Sequence, residues 1–310
     1  MKINRRNFLA MLGSVGTGLA FSGTEAKAWQ SKARPNACGC LVDLTRCTGC
    51  RKCEEVCNEV NKLPEPERSF EDKTIFDKKR RPSATAFTAV NRYYPGQKNE
   101  QGELIPTFVK LQCMHCQDPA CVSACVTGAL SKADNGAVVY DPGKCIGCRY
   151  CMVACPFEIP AYEYDKALLP RVMKCDLCFD RISKPGGLPA CASVCPVEAI
   201  IFGKRKDLLK QAKMRITNDP GRYVRHIYGQ KEAGGTNWMY ISGVEFSKLD
   251  FARVPQKPIP RLTEKIQSSL FKYLWSPIVL FGMLGGIMYM NREKNKDSSK
   301  NGNPTKGRQA

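Results

Sequence analysis

Acidic side chains are scarce in this sequence. Among 310 residues, 29 Asp and Glu stand against 48 Lys and Arg, a formal charge of +19. Nucleic-acid binding is one use of such an excess. Here the basic residues are spread along the chain and no recognition module accompanies them, so a basic surface for an acidic partner or an anionic membrane is the plainer reading. Also missing are a nucleotide-binding loop, a nucleophile motif and any other signature of a substrate pocket. Histidine is limited to His115 and His226. The apolar runs of the body are short, and strands that short bury too little area to hold a core without a staple.

The staple is cysteine chemistry. Of 18 cysteines, sixteen fall into four groups of four: Cys47, Cys50, Cys53, Cys57; Cys113, Cys116, Cys121, Cys125; Cys145, Cys148, Cys151, Cys155; and Cys175, Cys178, Cys191, Cys195. Groups one and three read C-x2-C-x2-C-x3-C. Group two widens only the middle gap, to x4, and group four widens it to x12. Cysteines three apart are poor disulfide partners and good metal ligands. Two C-x-x-C pairs suit a tetrahedral zinc. Three thiolates within seven residues and a fourth shortly beyond suit a four-iron cubane better, with the fourth cysteine crossing to a neighbouring cluster. Pro156 and Pro196 complete that signature in groups three and four. Asn58 and Val126 stand at the equivalent places in groups one and two, which predicts a local backbone difference with the ligands intact. Sixteen ligands predict four [4Fe–4S] clusters. Cys38 and Cys40 are left over, as free thiols before spare ligands. His115, inside group two, is expected to hydrogen-bond to sulfur or backbone.

The ends read as targeting segments. Residues 1–28, with Lys2, Arg5 and Arg6, the apolar stretch Phe8 to Phe21 and Ala26-Lys27-Ala28, form a signal peptide of twin-arginine type, so Trp29 would begin the mature chain. That route carries folded, cofactor-loaded proteins and would spare the thiols from an oxidising compartment. Residues 273–290, "YLWSPIVLFGMLGGIMYM", carry no charge. As a helix they span about 27 Å, enough for one membrane crossing, with Tyr273, Trp275 and Tyr289 at the interfaces. The basic tail 291–310 predicts a cytoplasmic C-terminus and a body on the outer face of the inner membrane.

Between the ends, each cysteine group follows a short apolar run: Leu41 to Leu44, Phe108 to Leu111, Val138 to Tyr140, and Arg171 to Met173. Residues 129–140 predict a hairpin turning at Asp134-Asn135-Gly136, and 204–216 predict an amphipathic surface helix. The expected fold is α+β: tandem bacterial-ferredoxin-like modules of short strands and cysteine loops over 29–215, plus the C-terminal transmembrane helix. Residues 58–112 read as an insertion with loops and one hairpin. Residues 216–266 read as an extension and linker, with 251–265 extended.

The four groups, with expanded second and fourth gaps, resemble the four-cluster ferredoxin-like subunits of membrane oxidoreductases over about residues 38–215. "NRRNFLA", the terminal helix with its basic tail, "HIYGQKEAGGTNW" to "VEFSKLD", "LQCMHCQDPACVSAC" and "CRYCMVACPFEIPAY" look like the HybA-type subunit of hydrogenase-2-type nickel–iron enzymes. His226 lies in the third of these stretches, where it would face a partner or solvent. The resemblance implies that groups pair one with four and two with three. One cluster would take Cys47, Cys50, Cys53 and Cys195; the next Cys175, Cys178, Cys191 and Cys57. A third would take Cys113, Cys116, Cys121 and Cys155, and the fourth Cys145, Cys148, Cys151 and Cys125. It further implies a non-catalytic electron-transfer subunit between the small and large subunits of a nickel–iron hydrogenase and an integral membrane quinone-binding subunit, with no nucleic acid. A formate dehydrogenase or other molybdenum enzyme is the alternative donor, and a zinc-bound membrane scaffold the alternative chemistry.

Overall fold

The computed structural model describes residue 34 and residues 36–260 and 280–289. The signal segment expected at 1–28, residues 273–279 and 290 of the expected helix and the tail at 291–310 lie outside the described residues. Residues 280–289 are helical. Among the described residues no helix is long and apolar enough to cross a membrane.

The apolar runs that precede the cysteine groups each become a strand: β1 (Cys38–Asp43), β3 (Thr107–Leu111), β5 (Val138–Tyr140) and β7 (Val172–Met173). Their partners are β8 (Ile200–Lys204), β2 (Ala89–Tyr93), β4 (Leu130–Lys132) and β6 (Ala161–Tyr162), all antiparallel. Antiparallel pairing sets the loop after one strand beside the loop before the other. With Val42 opposite Ile200, the loop that begins at Cys47 meets the loop that ends at Cys195. With Leu130 opposite Tyr140, Cys125 meets the loop that begins at Cys145. The β4–β5 hairpin turns at Gly136, whose φ of +95° glycine adopts without strain.

Short helices follow the cysteine loops: α1 (Lys52–Val60), α2 (Ala120–Ser123), α3 (Tyr150–Ala154), α4 (Phe179–Ile182) and α5 (Ala190–Ser193). The segment expected as a surface helix forms α6 (Arg205–Asn218), which turns Leu208 and Ala212 onto Leu41, Met239 and Ile241.

Residues 216–266 are more than an extension. They supply β9 (Trp238–Ile241), which pairs in parallel with β1 and completes a sheet of order β8-β1-β9. Each of its four residues is at most 1% exposed. Tyr228, Tyr240, Phe246 and Phe251 stack edge to face around it, with Phe251 4.6 Å from Tyr228 and 4.9 Å from Tyr240. The start of the expected linker is tied down: Ala233 and Gly234 N–H groups donate to the carbonyls of Pro255 and Gln256 at 2.7 and 3.0 Å. Asp43, at the end of β1, is buried and fully partnered. Its carboxylate accepts from Arg215 Nη1 at 3.0 Å, Tyr223 Oη at 2.8 Å and Thr45 Oγ1 at 2.7 Å.

Candidate iron–sulfur centres

The cysteine loops share a backbone device. The residue just before the second cysteine of each group has positive φ: Gly49 (69°), His115 (47°), Gly147 (71°) and Leu177 (64°). That turn aims amide groups at sulfur. Gly147 and Leu177 donate to Cys145 and Cys175 Sγ, both at 3.4 Å. Three residues past the fourth cysteine the chain is left-handed again in groups two, three and four, at Gly128, Glu158 and Glu198. Their amides close turns onto the carbonyls of Cys125, Cys155 and Cys195. Group two therefore makes the same turn with Val126 where the others have proline. Group one differs: α1 runs on to Val60, and Asn61 Nδ2 caps Cys57, reaching its carbonyl at 2.8 Å and its sulfur at 3.5 Å.

The folded chain brings thiols of different groups near one another within each set that the resemblance implies. Cys47, Cys50, Cys53 and Cys195 line one small cavity together with Lys110, Val42 and Ile200. Cys57 lies within electrostatic reach of Cys191 and Cys178, and Cys175 within reach of Cys57. Cys116 is surrounded by Cys155, Cys113 and Cys121, and Cys151 by Cys125, Cys145 and Cys148. Thiols of different sets also lie within electrostatic reach of one another: Cys53 of Cys191, Cys175 of Cys113, and Cys121 of Cys151.

Burial pushes the thiols of Cys47 and Cys151 up to about 11, those of Cys57 and Cys121 up to about 12, and those of Cys53, Cys116 and Cys175 well above the usual thiol range. Thiols this reluctant to ionise need a bound cation to become thiolates, so loading releases protons.

Three observations test which cation fits. Among the described residues no three Cys, His, Asp or Glu side chains converge closely enough to hold a single metal ion. Four thiolates on one zinc would stand roughly 3.8 Å apart, from Zn–S bonds of about 2.3 Å. No described group of thiols meets that requirement. Four buried donors lack an acceptor, Arg34 Nε, Arg80 Nε, His115 Nε2 and Trp238 Nε1, and the middle of group two holds His115. His115 Nδ1 accepts the Val138 N–H at 2.8 Å, which leaves the ring proton of the neutral imidazole on Nε2. Burial, with Lys174 and Lys132 nearby, keeps that imidazole well below the usual histidine range. The thiols, their spacing and the orphaned His115 donor fit iron–sulfur clusters.

His226 is half-exposed, with Nε2 2.8 Å from Glu232 Oε1 and its ring 5.2 Å from Phe246. Cys40 is fully buried on β1 beside Cys191 and Cys178, whereas Cys38 reaches part of the surface.

Sequence reasoning missed the polar residues packed behind the first two sets. Lys110 is 2% exposed on β3. Its Nζ donates to Gln112 Oε1 at 2.8 Å, Gln112 Nε2 donates to Tyr240 Oη at 2.6 Å, and Tyr240 Oη donates to the Lys110 carbonyl at 3.0 Å, which closes a ring. The ammonium also sits 4.5 Å from the Trp238 ring centroid. One signal was available: a lysine between valine and leucine in a strand that leads into a cysteine loop.

A model of the 4Fe–4S dicluster domain matches residues 105–205. The hydrogenase-2 operon protein HybA of Escherichia coli O157:H7 is 35% identical over 328 residues, which cover 97% of this chain and 98% of that protein. A protein of Nitratidesulfovibrio vulgaris is 50% identical over 250 residues, covering 79% of this chain and 66% of its own length. The iron–sulfur subunit of the nitrate-inducible formate dehydrogenase of Escherichia coli strain K12 is 37% identical over 204 residues, 65% of this chain and 66% of that one. With the thiol sets in place and HybA aligned along nearly the whole of both chains, this chain belongs to the HybA family of iron–sulfur electron-transfer proteins.

Proposed function

We propose that this chain is the electron-transfer subunit of a nickel–iron hydrogenase complex at the inner membrane. It holds four [4Fe–4S] clusters and links the hydrogenase small and large subunits to an integral membrane subunit that reduces quinone. Each cluster, once bound, supplies a centre that takes up and gives up single electrons. The ligand sets are Cys47, Cys50, Cys53 and Cys195; Cys57, Cys175, Cys178 and Cys191; Cys113, Cys116, Cys121 and Cys155; and Cys125, Cys145, Cys148 and Cys151. The observation that carries the reading is the crossing of groups, with Cys195 of the fourth group lining the cavity of Cys47, Cys50 and Cys53, and each set lies within electrostatic reach of the next. The protein's part is to insulate these sets, to aim amide groups at sulfur, and to leave an end open to a partner. Cys148 is exposed, and Val126, Ile146, Tyr150 and Val153 project around its set at 57% exposure or more. A twin-arginine signal at 1–28 would export the loaded protein, and the apolar run at 273–290 would anchor it with its C-terminus in the cytoplasm.

Hydrogen-dependent quinone reduction in membranes with and without this chain tests the proposal, with an artificial dye as control acceptor. Dye reduction that survives while quinone reduction disappears supports it; survival of both sinks it. The likeness to a formate dehydrogenase iron–sulfur subunit favours a molybdenum enzyme as second donor, which co-purification with a nickel or a molybdenum subunit separates. A colourless protein with stoichiometric zinc, lacking the broad absorption of iron–sulfur clusters near 400 nm, would overturn both.

A further inference from the structure

The interval 58–112 interrupts the rhythm of strands and cysteine loops, yet its hairpin carries Lys110 into the interior. A buried ammonium is costly unless something negative faces it. No described carboxylate pairs with Lys110: its hydrogen-bond acceptor among the described residues is Gln112 Oε1, and its other partner is the Trp238 ring. Thiols of two sets stand around it, with Cys40 of β1 beside them. Cys47 and Cys53 of the first set and Cys57, Cys175 and Cys191 of the second lie within its electrostatic reach. The lysines near the third set are Lys132 and Lys174. Lys110 also lines the cavity of the first set. The ring through Gln112, Tyr240 and its own carbonyl holds the ammonium in place. From this placement we infer that Lys110 is a fixed internal countercharge shared by the first two cluster sites, which raises their reduction potentials selectively. The inference rests on the ligand division proposed above.

A cluster with its four thiolates is anionic, and reduction adds one more negative charge. A cation held beside it therefore favours the reduced form. The test is a potentiometric titration of the full-length loaded protein, followed by electron paramagnetic resonance, for wild type, Lys110→Met and Gln112→Glu. Lys110→Met removes the charge at similar volume. Gln112→Glu sets a carboxylate against Nζ and neutralises it without removing the lysine, which keeps the test alive where the first variant fails to load iron. Each variant is expected to lower two of the four midpoint potentials by at least 59 mV, a tenfold change in a one-electron equilibrium. The other two should hold. Four unmoved potentials, or four moved equally, overturn the inference. A loaded wild type that holds well under about sixteen irons per chain, four per cubane, instead overturns the four-cluster reading beneath it.

Discussion

Glu54 lies between two would-be ligands, Cys53 and Cys57, and is 4% exposed. One carboxylate oxygen accepts Arg51 Nε at 3.1 Å and Nη2 at 2.9 Å; the other accepts Arg80 Nη2 at 2.7 Å and the backbone N–H of Val90. Arg51 in turn donates to the carbonyls of Ser69 and Asp72 at 2.9 and 3.1 Å. The carboxylate thus fastens the first cysteine loop to the interval 58–112. Glu54→Ala strands two guanidinium groups unequally. The Arg80 side chain is 23% exposed and turns to water, but that of Arg51, at 2%, does not. Removing one partner of a buried pair costs about 3–5 kcal/mol, and the Arg51 half sets the lower figure here. A cofactor protein does not unfold in two states, so the readout is a rate. About 3 kcal/mol lost before the barrier corresponds to roughly 150-fold faster bleaching near 400 nm in guanidinium with an iron chelator. Arg51→Met should restore much of the lifetime in the double variant, because the stranded charge is gone. Bleaching of Glu54→Ala within about threefold of wild type, or a double variant worse than the sum of the singles, would refute this account.

Gly49→Ala puts a Cβ into the ring of Phe108 at a φ of +69°, and the left-handed backbone alone costs about 1–2 kcal/mol; Phe108→Leu should recover the steric part but not the backbone part, read by the same bleaching rate. Cys148→Ser is expected to lower iron by about four atoms per chain, the content of one cubane, whereas Cys40→Ser should leave iron unchanged; metal analysis of the purified variants decides both. Glu163 is held at about 2 chiefly by its hydrogen bonds to Arg171, and also by Lys166. A depressed carboxylate stabilises the fold above its unfolded value and loses that contribution as pH falls. Glu163→Gln should therefore bleach faster than wild type at pH 6, and the ratio of the two rates should fall toward one between about pH 4.5 and pH 2.

What could be read from the sequence was local. The cysteine spacing marks the loops because ligand geometry is decided within a few residues, and the apolar run before each group becomes a strand because a strand needs only its own alternation and a partner. The Asp134-Asn135-Gly136 turn and the helix after Lys204 were legible for the same reason. The elements that did not read through are closed by distant pairings. "WMYI" at Trp238–Ile241 is as apolar as any strand in the chain, but nothing near it says that its partner is β1, about 200 residues earlier. Residues 251–265, with three prolines, read as an extended linker, because the N–H groups of Ala233 and Gly234 that fix its start cannot be inferred from proline content. Lys110 is the sharpest case. Charge in a strand ordinarily signals a solvated face, and only a ring through Tyr240, 130 residues away, turns this one inward. The parts of the site that hold iron are thus written in adjacent residues. The part that would set potential is written in contacts between the interval 58–112 and β9, and so became visible only once both were folded onto the ferredoxin-like body.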